Sequence, residues 1–457
     1  MKISNVVNFP SKINQRIESA VKPATLAGPI ESKMRLTLNR LQGTTYPDTF
    51  DWSIYDKLAA RYGESQPRGG VVYNQVLKLV NYHTSCSKCH YAFEIDTYGR
   101  GCVHNCVWCY AKEALTRHGY WNEPIPFPVN LSEVRKEFYF AFETDKKSKW
   151  SEVLRKRIPI RIGSMSDSFM WMDKKYKITY ELLKILKHYR YPYIVFTRSD
   201  LIAEDAYLDV LDKDLSSIQF SISGGNEQLT KALEPGAPSV ERRLNALKKL
   251  SEAGYWTTVR INPLFPVYPD GYFTDEASIK ARFGSKSNVP KFELFDWSFI
   301  AQLKEAGVPS VLAGMARLTP FAIRAISKET GLDFGSFFKP ELYQKSADSR
   351  FSDSEIAFYY KRIQAECMKV SMRFNTCYIG NGEKDYYQYQ GLWDNKADCC
   401  DARGNVSAFK SSSQEIHWEE RLKHASNKET AELARTQEQH FDGLYTDKVF
   451  VTPEIQP

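Results

Sequence analysis

Three cysteines fall within eight residues: Cys102, Cys106 and Cys109, in the run Gly101-Cys102-Val103-His104-Asn105-Cys106-Val107-Trp108-Cys109-Tyr110. Thiolates at this spacing can occupy three corners of one iron–sulfur cube and leave the fourth iron without a protein ligand. An iron with an open position can hold a substrate or cofactor. Zinc ribbons and fingers use paired C-x2-4-C units set far apart, whereas all three thiols here come from one short turn. Bacterial ferredoxins carry a four-cysteine rhythm ending in proline, which is absent. The competing reading is a structural metal loop built on the same three thiols.

This C-x3-C-x2-C run resembles the signature of the radical S-adenosylmethionine (radical SAM) enzymes. The resemblance implies a [4Fe-4S] cluster whose open iron chelates the methionine part of S-adenosylmethionine. An electron, delivered by an external donor such as flavodoxin or ferredoxin, then cleaves the sulfonium to a 5′-deoxyadenosyl radical. Further pieces look like the spore photoproduct lyase-like branch, over roughly residues 85 to 265: Thr97-Tyr98-Gly99-Arg100-Gly101-Cys102, Cys109-Tyr110-Ala111, Gly163-Ser164-Met165-Ser166-Asp167, Glu234-Pro235, Arg242-Arg243-Leu244-Asn245-Ala246-Leu247 and Ala253-Gly254. Founding members of that branch repair a thymine dimer in DNA, so the resemblance suggests a nucleic-acid substrate. It also implies cofactor contacts at Trp108, whose indole offers a flat apolar face, at Gly163 and Ser164 after the second strand, and at Ser221 and Ser223 after the fourth. The plain alternatives are loop packing for Trp108 and an ordinary turn for Gly163 and Ser164. His104, inside the motif, reads as a solvent or packing residue.

The elements that must position these residues alternate between strand and helix. Strands are expected at 91–96, 158–163, 193–197, 217–222, 256–261 and 309–313, with helices at 112–118, 176–189, 203–211 and 240–252 and around 299–303. In the 240–252 helix Leu244, Leu247 and Leu250 share one side, and Gly254 closes it. Six such units predict an α/β fold, a partial (β/α)6 TIM-type barrel with N- and C-terminal extensions. Chemistry in such barrels gathers at the C-terminal ends of the strands, and the cysteine loop follows the first strand. Arg260 and Asn262 alternate on one face of the fifth strand, with Val259 and Ile261 on the other. The polar pair is a cofactor or substrate ligand if that face looks inward.

Six cysteines remain outside the loop. Cys86 and Cys89 form a C-x2-C pair that could join two of Cys377, Cys399 and Cys400 in a second site, holding an iron–sulfur cluster or zinc. Alternatively Cys377, Cys399 or Cys400 could return a hydrogen atom to a substrate radical, because a thiol S–H bond is weak. Cys367 falls in register with Ile356, Tyr360 and Ile363 on a helix over 353–370, opened by a Ser352/Glu355 capping box, and reads as core.

Composition bounds the rest. The chain has 457 residues, a net charge of +7, 42% hydrophobic and 26% charged residues, and nine cysteines. These figures fit a soluble, cytoplasmic enzyme with reduced thiols rather than a disulfide framework. No apolar run is long enough to span a membrane, and no signal-peptide core opens the chain. The charge is compatible with a polyanionic partner. Three regions are expected: an N-terminal extension over 1–80, the barrel over 81–335, and a C-terminal extension over 336–457. In the last, Tyr343, Phe351, Phe358, Tyr359, Tyr360 and Tyr386-Tyr387-Gln388-Tyr389 lie among basic residues, as base-stacking groups or as the packing of a small domain.

Overall fold

A computed structural model describes Lys78–Leu79 and, with gaps, residues 93–409. The gaps are Arg100, 118–120, 122–125, Asn130, 156–158, 266–275, 286–293, Asp296, Leu332, 338–350, Ser352, 378–391, 395–397 and Arg403.

Strands in this chain are dictated by a period of two. Along Tyr193–Thr197 (β6), Ser216–Ser221 (β7) and Thr257–Leu264 (β8), residues such as Val195, Ile218, Phe220, Val259 and Ile261 are fully buried on one face. The other face carries Phe196, Gln219, Ser221, Arg260 and Asn262. A sheet that is apolar on one side only must cover that side with helices and can leave the other lining a lumen. The remaining strands complete it: Lys78–Leu79 (β1), Phe93–Ile95 (β2), Ile160–Ile162 (β5), Ser310–Met315 (β9) and Arg373–Thr376 (β10), with Tyr98–Gly99 (β3) and Phe127–Pro128 (β4) forming a separate two-stranded ribbon.

The large sheet runs β1-β2-β5-β6-β7-β8-β9-β10, with β2 to β10 all parallel and β1 antiparallel at the edge. Its spatial order never reverses, so crossovers of one hand leave the helices on one face and the sheet curls into a partial barrel. The expected architecture is present with a seventh parallel strand. That strand, β10, lies beyond residue 335 and pairs with β9 from Arg373↔Ser310 to Thr376↔Ala313. The sheet therefore continues into what the sequence suggested was an extension.

Helices in chain order are Tyr110–Arg117 (α1), Leu131–Phe142 (α2), Lys149–Arg155 (α3), Asp173–Tyr176 (α4), Ile178–His188 (α5), Asp205–Val210 (α6), Glu227–Leu233 (α7), Val240–Glu252 (α8), Glu276–Phe283 (α9), Ser298–Glu305 (α10), Pro320–Thr330 (α11) and Asp353–Lys369 (α12). The helix expected over 176–189 is broken at Lys177, whose φ of 56° is left-handed. Helix α8 has the expected bounds because both ends are capped. Ser239 Oγ accepts from Arg242 N, and Gly254 takes a φ of +83°. In α12, Cys367 and Ile363 are fully buried, as the register of that helix requires. Phe351, Tyr359 and Tyr360 are also buried, so they pack the core and are not available to stack on bases. Tyr343, Tyr386, Tyr387 and Tyr389 lie outside the described residues, as do Ser352 and the pair Cys86 and Cys89.

Candidate active site

The cysteine loop leaves the sheet at the C-terminal end of β2. Asn105 takes a φ of +48°, which asparagine tolerates, and Asn105 N and Cys109 N donate back to the Cys102 and Cys106 carbonyls at 3.3 and 3.2 Å. Three contacts dock this loop on the turn after α7. Val107 N donates to the Leu233 carbonyl at 2.9 Å, Gly236 N to the His104 carbonyl at 3.0 Å, and His104 Nδ1 stands 3.1 Å from the Gly236 carbonyl. A methyl group on Gly236 would lie 1.8 Å from the Val103 carbonyl oxygen, so no side chain fits there.

The loop after β5 meets it from the other side. Gly163 has φ +83°, and a Cβ there would lie 2.6 Å from the Phe196 carbonyl oxygen. Asp96, buried at the end of β2, accepts from Ser164 N at 2.7 Å and Met165 N at 3.2 Å. Tyr110 hydroxyl donates to the Ser164 carbonyl at 3.0 Å. Asp167 accepts from Thr197 Oγ1, Phe169 N and Arg198 N, and stands 3.1 Å from His104 Nε2. Burial alone would raise the Asp167 carboxyl, but the His104 charge and these donors outweigh it and hold it below the usual range. His104 is thus a buried tie between three loops and not a solvent residue.

A buried ionic chain backs the loop. Glu234 is bridged by Arg243 Nη2 at 2.6 Å and Arg198 Nε at 3.1 Å, and Arg243 also donates to the Pro238 and Ser221 carbonyls. Desolvation opposes the Glu234 charge, yet the two guanidiniums keep its pKa lowered. Arg198 lies 4.6 Å over the Trp108 ring, whose edge also meets Phe265 at 6.1 Å. Asp96, Asp167, Arg198, Glu234, Gly236 and Arg243 were given no role from sequence. The signal available was position: Asp96, Asp167 and Arg198 follow strand ends, Glu234 caps α7, and Arg243 lies in the first turns of α8.

The fit of the three thiols to an iron–sulfur cube rests on their surroundings. Burial, reinforced by the Asp167 charge, pushes the Cys102 thiol up to about 12, and burial also raises Cys106 and Cys109. Opposing this, Arg198 lowers Cys106 and Cys109, and Lys112 N donates to Cys109 Sγ at 3.4 Å. Cations and an N–H aimed at sulfur suit an anionic cluster. Among the described residues no three His, Cys, Asp or Glu groups converge on a single metal ion. A cube spreads its thiolates over separate irons, so this does not conflict with it. Among the described residues, two buried polar atoms, Trp108 Nε1 and Ser223 Oγ, have no hydrogen-bond partner. Unpaired buried polar atoms beside a thiol loop fit a site shaped for a polar ligand.

Inside the barrel, Arg260 donates from Nη1 to Gln219 Oε1 and from Nη2 to Cys377 Sγ, both at 2.8 Å, and stacks 4.3 Å over Phe196. Arg161 stacks on the same ring at 4.1 Å. The polar face of β8 therefore looks inward. Asn262 lies two residues further toward the mouth, and Gly314 makes room for it: a Cβ there would come within 2.8 Å of Asn262 Nδ2. Ser221 pairs with Arg260 in register and faces the same way.

Cys399 and Cys400 go elsewhere. The Cys400 carbonyl accepts from Thr258 Oγ1 at 3.1 Å, and Thr258 stands level with Ser310 and Arg373 at the start of β10. Cys377 is four residues further along, roughly 13 Å at the rise of a strand. Both cysteines are buried at the closed end, where Arg373 pairs with Asp401 at 2.6 Å and Ala408 N donates to the Asp214 carbonyl. Cys377 and the Cys399–Cys400 pair thus stand at different levels along the sheet, Cys377 toward the C-terminal ends of the strands and the pair toward their starts.

Comparisons agree with this site. Residues 97–277 match the family model of the Radical SAM superfamily. An uncharacterized protein of Methanocaldococcus jannaschii is 30% identical over 170 residues, covering 36% of this chain and 58% of that one. The Radical SAM Nα-GlyT isomerase of Pseudomonas phage M6 is 24% identical over 173 residues, covering 37% of this chain and 33% of the isomerase. Among solved structures, a spore photoproduct lyase variant with bound AdoMet and dinucleoside spore photoproduct aligns with a TM-score of 0.44 and 18% identity, over 65% of this chain and 80% of the lyase. The chain thus spans little more than half of its M. jannaschii relative and a third of the phage isomerase. The matched region contains all three thiols of the C-x3-C-x2-C loop, so it is residues 97–277 that are similar to the Radical SAM superfamily.

Proposed function

We propose that this chain is a radical SAM enzyme that abstracts hydrogen from a nucleobase in DNA or RNA, for repair or modification. The observation that carries the radical chemistry is the loop itself: three thiols at the C-terminal mouth of a parallel partial barrel, backed by the Arg198–Glu234–Arg243 chain. Cys102, Cys106 and Cys109 would hold three irons of a [4Fe-4S] cluster. When bound, the cluster and S-adenosylmethionine supply a 5′-deoxyadenosyl radical, at the expense of one electron from an external donor.

This chain's own residues do the rest. Trp108 presents its indole as a flat wall, held from behind by Arg198. Gly163, Ser164, Ser221 and Ser223 end strands around the loop and offer backbone and hydroxyl groups to the cofactor. Arg260 and Asn262 face the lumen above it. Cys377, whose Sγ lies 2.8 Å from Arg260 Nη2, would return a hydrogen atom. In that step its S–H bond breaks homolytically, a C–H bond forms on the substrate, and the sulfur radical regains an electron and a proton with the electron donor as reductant. Whether Cys86 and Cys89 form a second metal site is open to direct iron and zinc analysis of Cys86→Ser.

The nucleic-acid assignment is supported by the branch resemblance over roughly residues 85 to 265. Thymine-deuterated DNA tests it. Deuterium appearing in 5′-deoxyadenosine supports the assignment. Its absence with labelled DNA and RNA, alongside active S-adenosylmethionine cleavage, favours a peptide or small metabolite. A protein that binds nucleic acid but leaves S-adenosylmethionine intact would be a non-catalytic cluster or zinc protein.

A further inference from the structure

Helix α11 follows β9, and its start is tied to the cysteine loop. Thr319, its N-cap, hydrogen-bonds Glu113 in the first turn of α1, and Glu113 N donates to the Cys109 carbonyl at 3.2 Å. Ala322, Ile323 and Ile326 bury one side of α11. The opposite side carries Phe321, Arg324 and Lys328, three to four residues apart and so on one face, with Arg317 just before the helix; all four are exposed. Phe321 is 51% exposed, a large apolar surface left in water at the rim of the site. Across the Thr319–Glu113 contact stands Tyr110, 56% exposed although its hydroxyl is pinned to the Ser164 carbonyl at 3.0 Å. An aromatic ring fixed at its far end loses little entropy when something stacks on it.

We propose that Arg317, Phe321, Arg324 and Lys328, continued by Tyr110, form a docking strip for an unpaired nucleic-acid strand. Bases would stack on the rings and phosphates would lie along the cations. This rests on the nucleic-acid reading above and adds where the strand binds. Two observations favour a single strand over an acidic protein. The exposed groups set aromatic rings beside cations, the combination that single strands use, and the strip ends at the thiol loop, where a substrate base must arrive. A flat duplex would meet the cations and leave the rings unused.

The test is fluorescence anisotropy of the reconstituted protein with a short fluorescein-labelled single-stranded DNA, and RNA of the same sequence, over a salt series. Phe321→Ala should weaken binding by about tenfold or more, the share of one stacked base. Arg324→Glu with Lys328→Glu should weaken it further and flatten its salt dependence. Lys248→Glu, an exposed charge on α8, should do neither, and thermal melts check that each variant folds. Wild-type affinity in the strip variants overturns the proposal, as does absence of binding by the unsubstituted protein. It is also overturned if the strip variants instead lose reduction by flavodoxin while keeping the oligonucleotide. Failure here is distinguishable from failure of the enzymatic reading. A protein that forms 5′-deoxyadenosine without binding oligonucleotide loses only the strip, whereas one that binds oligonucleotide but never forms deoxyadenosine loses only the chemistry.

Discussion

At the residue scale, Glu234 offers the most direct test, because it pairs with two guanidiniums behind the thiol loop. Glu234→Gln should cost about 3–5 kcal/mol, the price of stranding buried charge, measured by chemical denaturation. The sign of its pH dependence follows from its lowered pKa. The stabilisation is full above the ordinary value of 4.5 and is lost as pH falls through the folded value. The Gln variant should therefore lose part of the acid limb of the stability profile. Gly163→Ala combines a left-handed φ with a close approach to the Phe196 carbonyl; it should lower iron uptake on reconstitution without removing a single thiol. The thiols, Trp108 and Arg260 were legible from sequence because motif spacing and strand alternation are local. The ties of Asp96 to Ser164, Asp167 to His104 and Glu234 to Arg198 were not, since they join residues 36 to 68 positions apart only once the barrel has formed.

At the scale of elements, the cysteine loop has no regular structure of its own and takes its shape from what it docks on. Gly236→Ala would drive a methyl into the Val103 carbonyl and lift the loop off the turn after α7. The expected outcome is retained helical circular dichroism with loss of the iron–sulfur absorbance. Retained absorbance would show that the loop holds its shape unaided. Elements with strong periodicity were readable in advance: β6 and α8 have the expected bounds, and the other expected strands differ only at their ends. Short or weakly amphipathic pieces were not readable, among them α7, whose two buried residues are Thr230 and Leu233, and the β3–β4 ribbon of two residues per strand. Strand β10 was seen as a strand but not as part of the barrel, because its pairing with β9 spans more than sixty residues of chain.

At the scale of the whole molecule, a polar lumen inside an apolar wall makes the barrel a container, with its cations near the mouth. Cys377 and the Cys399–Cys400 pair occupy its two ends, so their variants should part company. Cys377→Ala should keep 5′-deoxyadenosine formation and change the fate of the substrate radical, read as altered product by mass spectrometry. Cys399→Ala with Cys400→Ala should lower thermal stability and leave the product pattern unchanged. All of this depends on the thiol loop carrying a cluster that cleaves S-adenosylmethionine. The decisive measurement is 5′-deoxyadenosine release by anaerobically reconstituted protein under dithionite. The expected result is release by the unsubstituted protein that vanishes, together with the cluster absorbance, in Cys102→Ala, Cys106→Ala and Cys109→Ala. A fully loaded cluster that leaves S-adenosylmethionine intact would contradict the account.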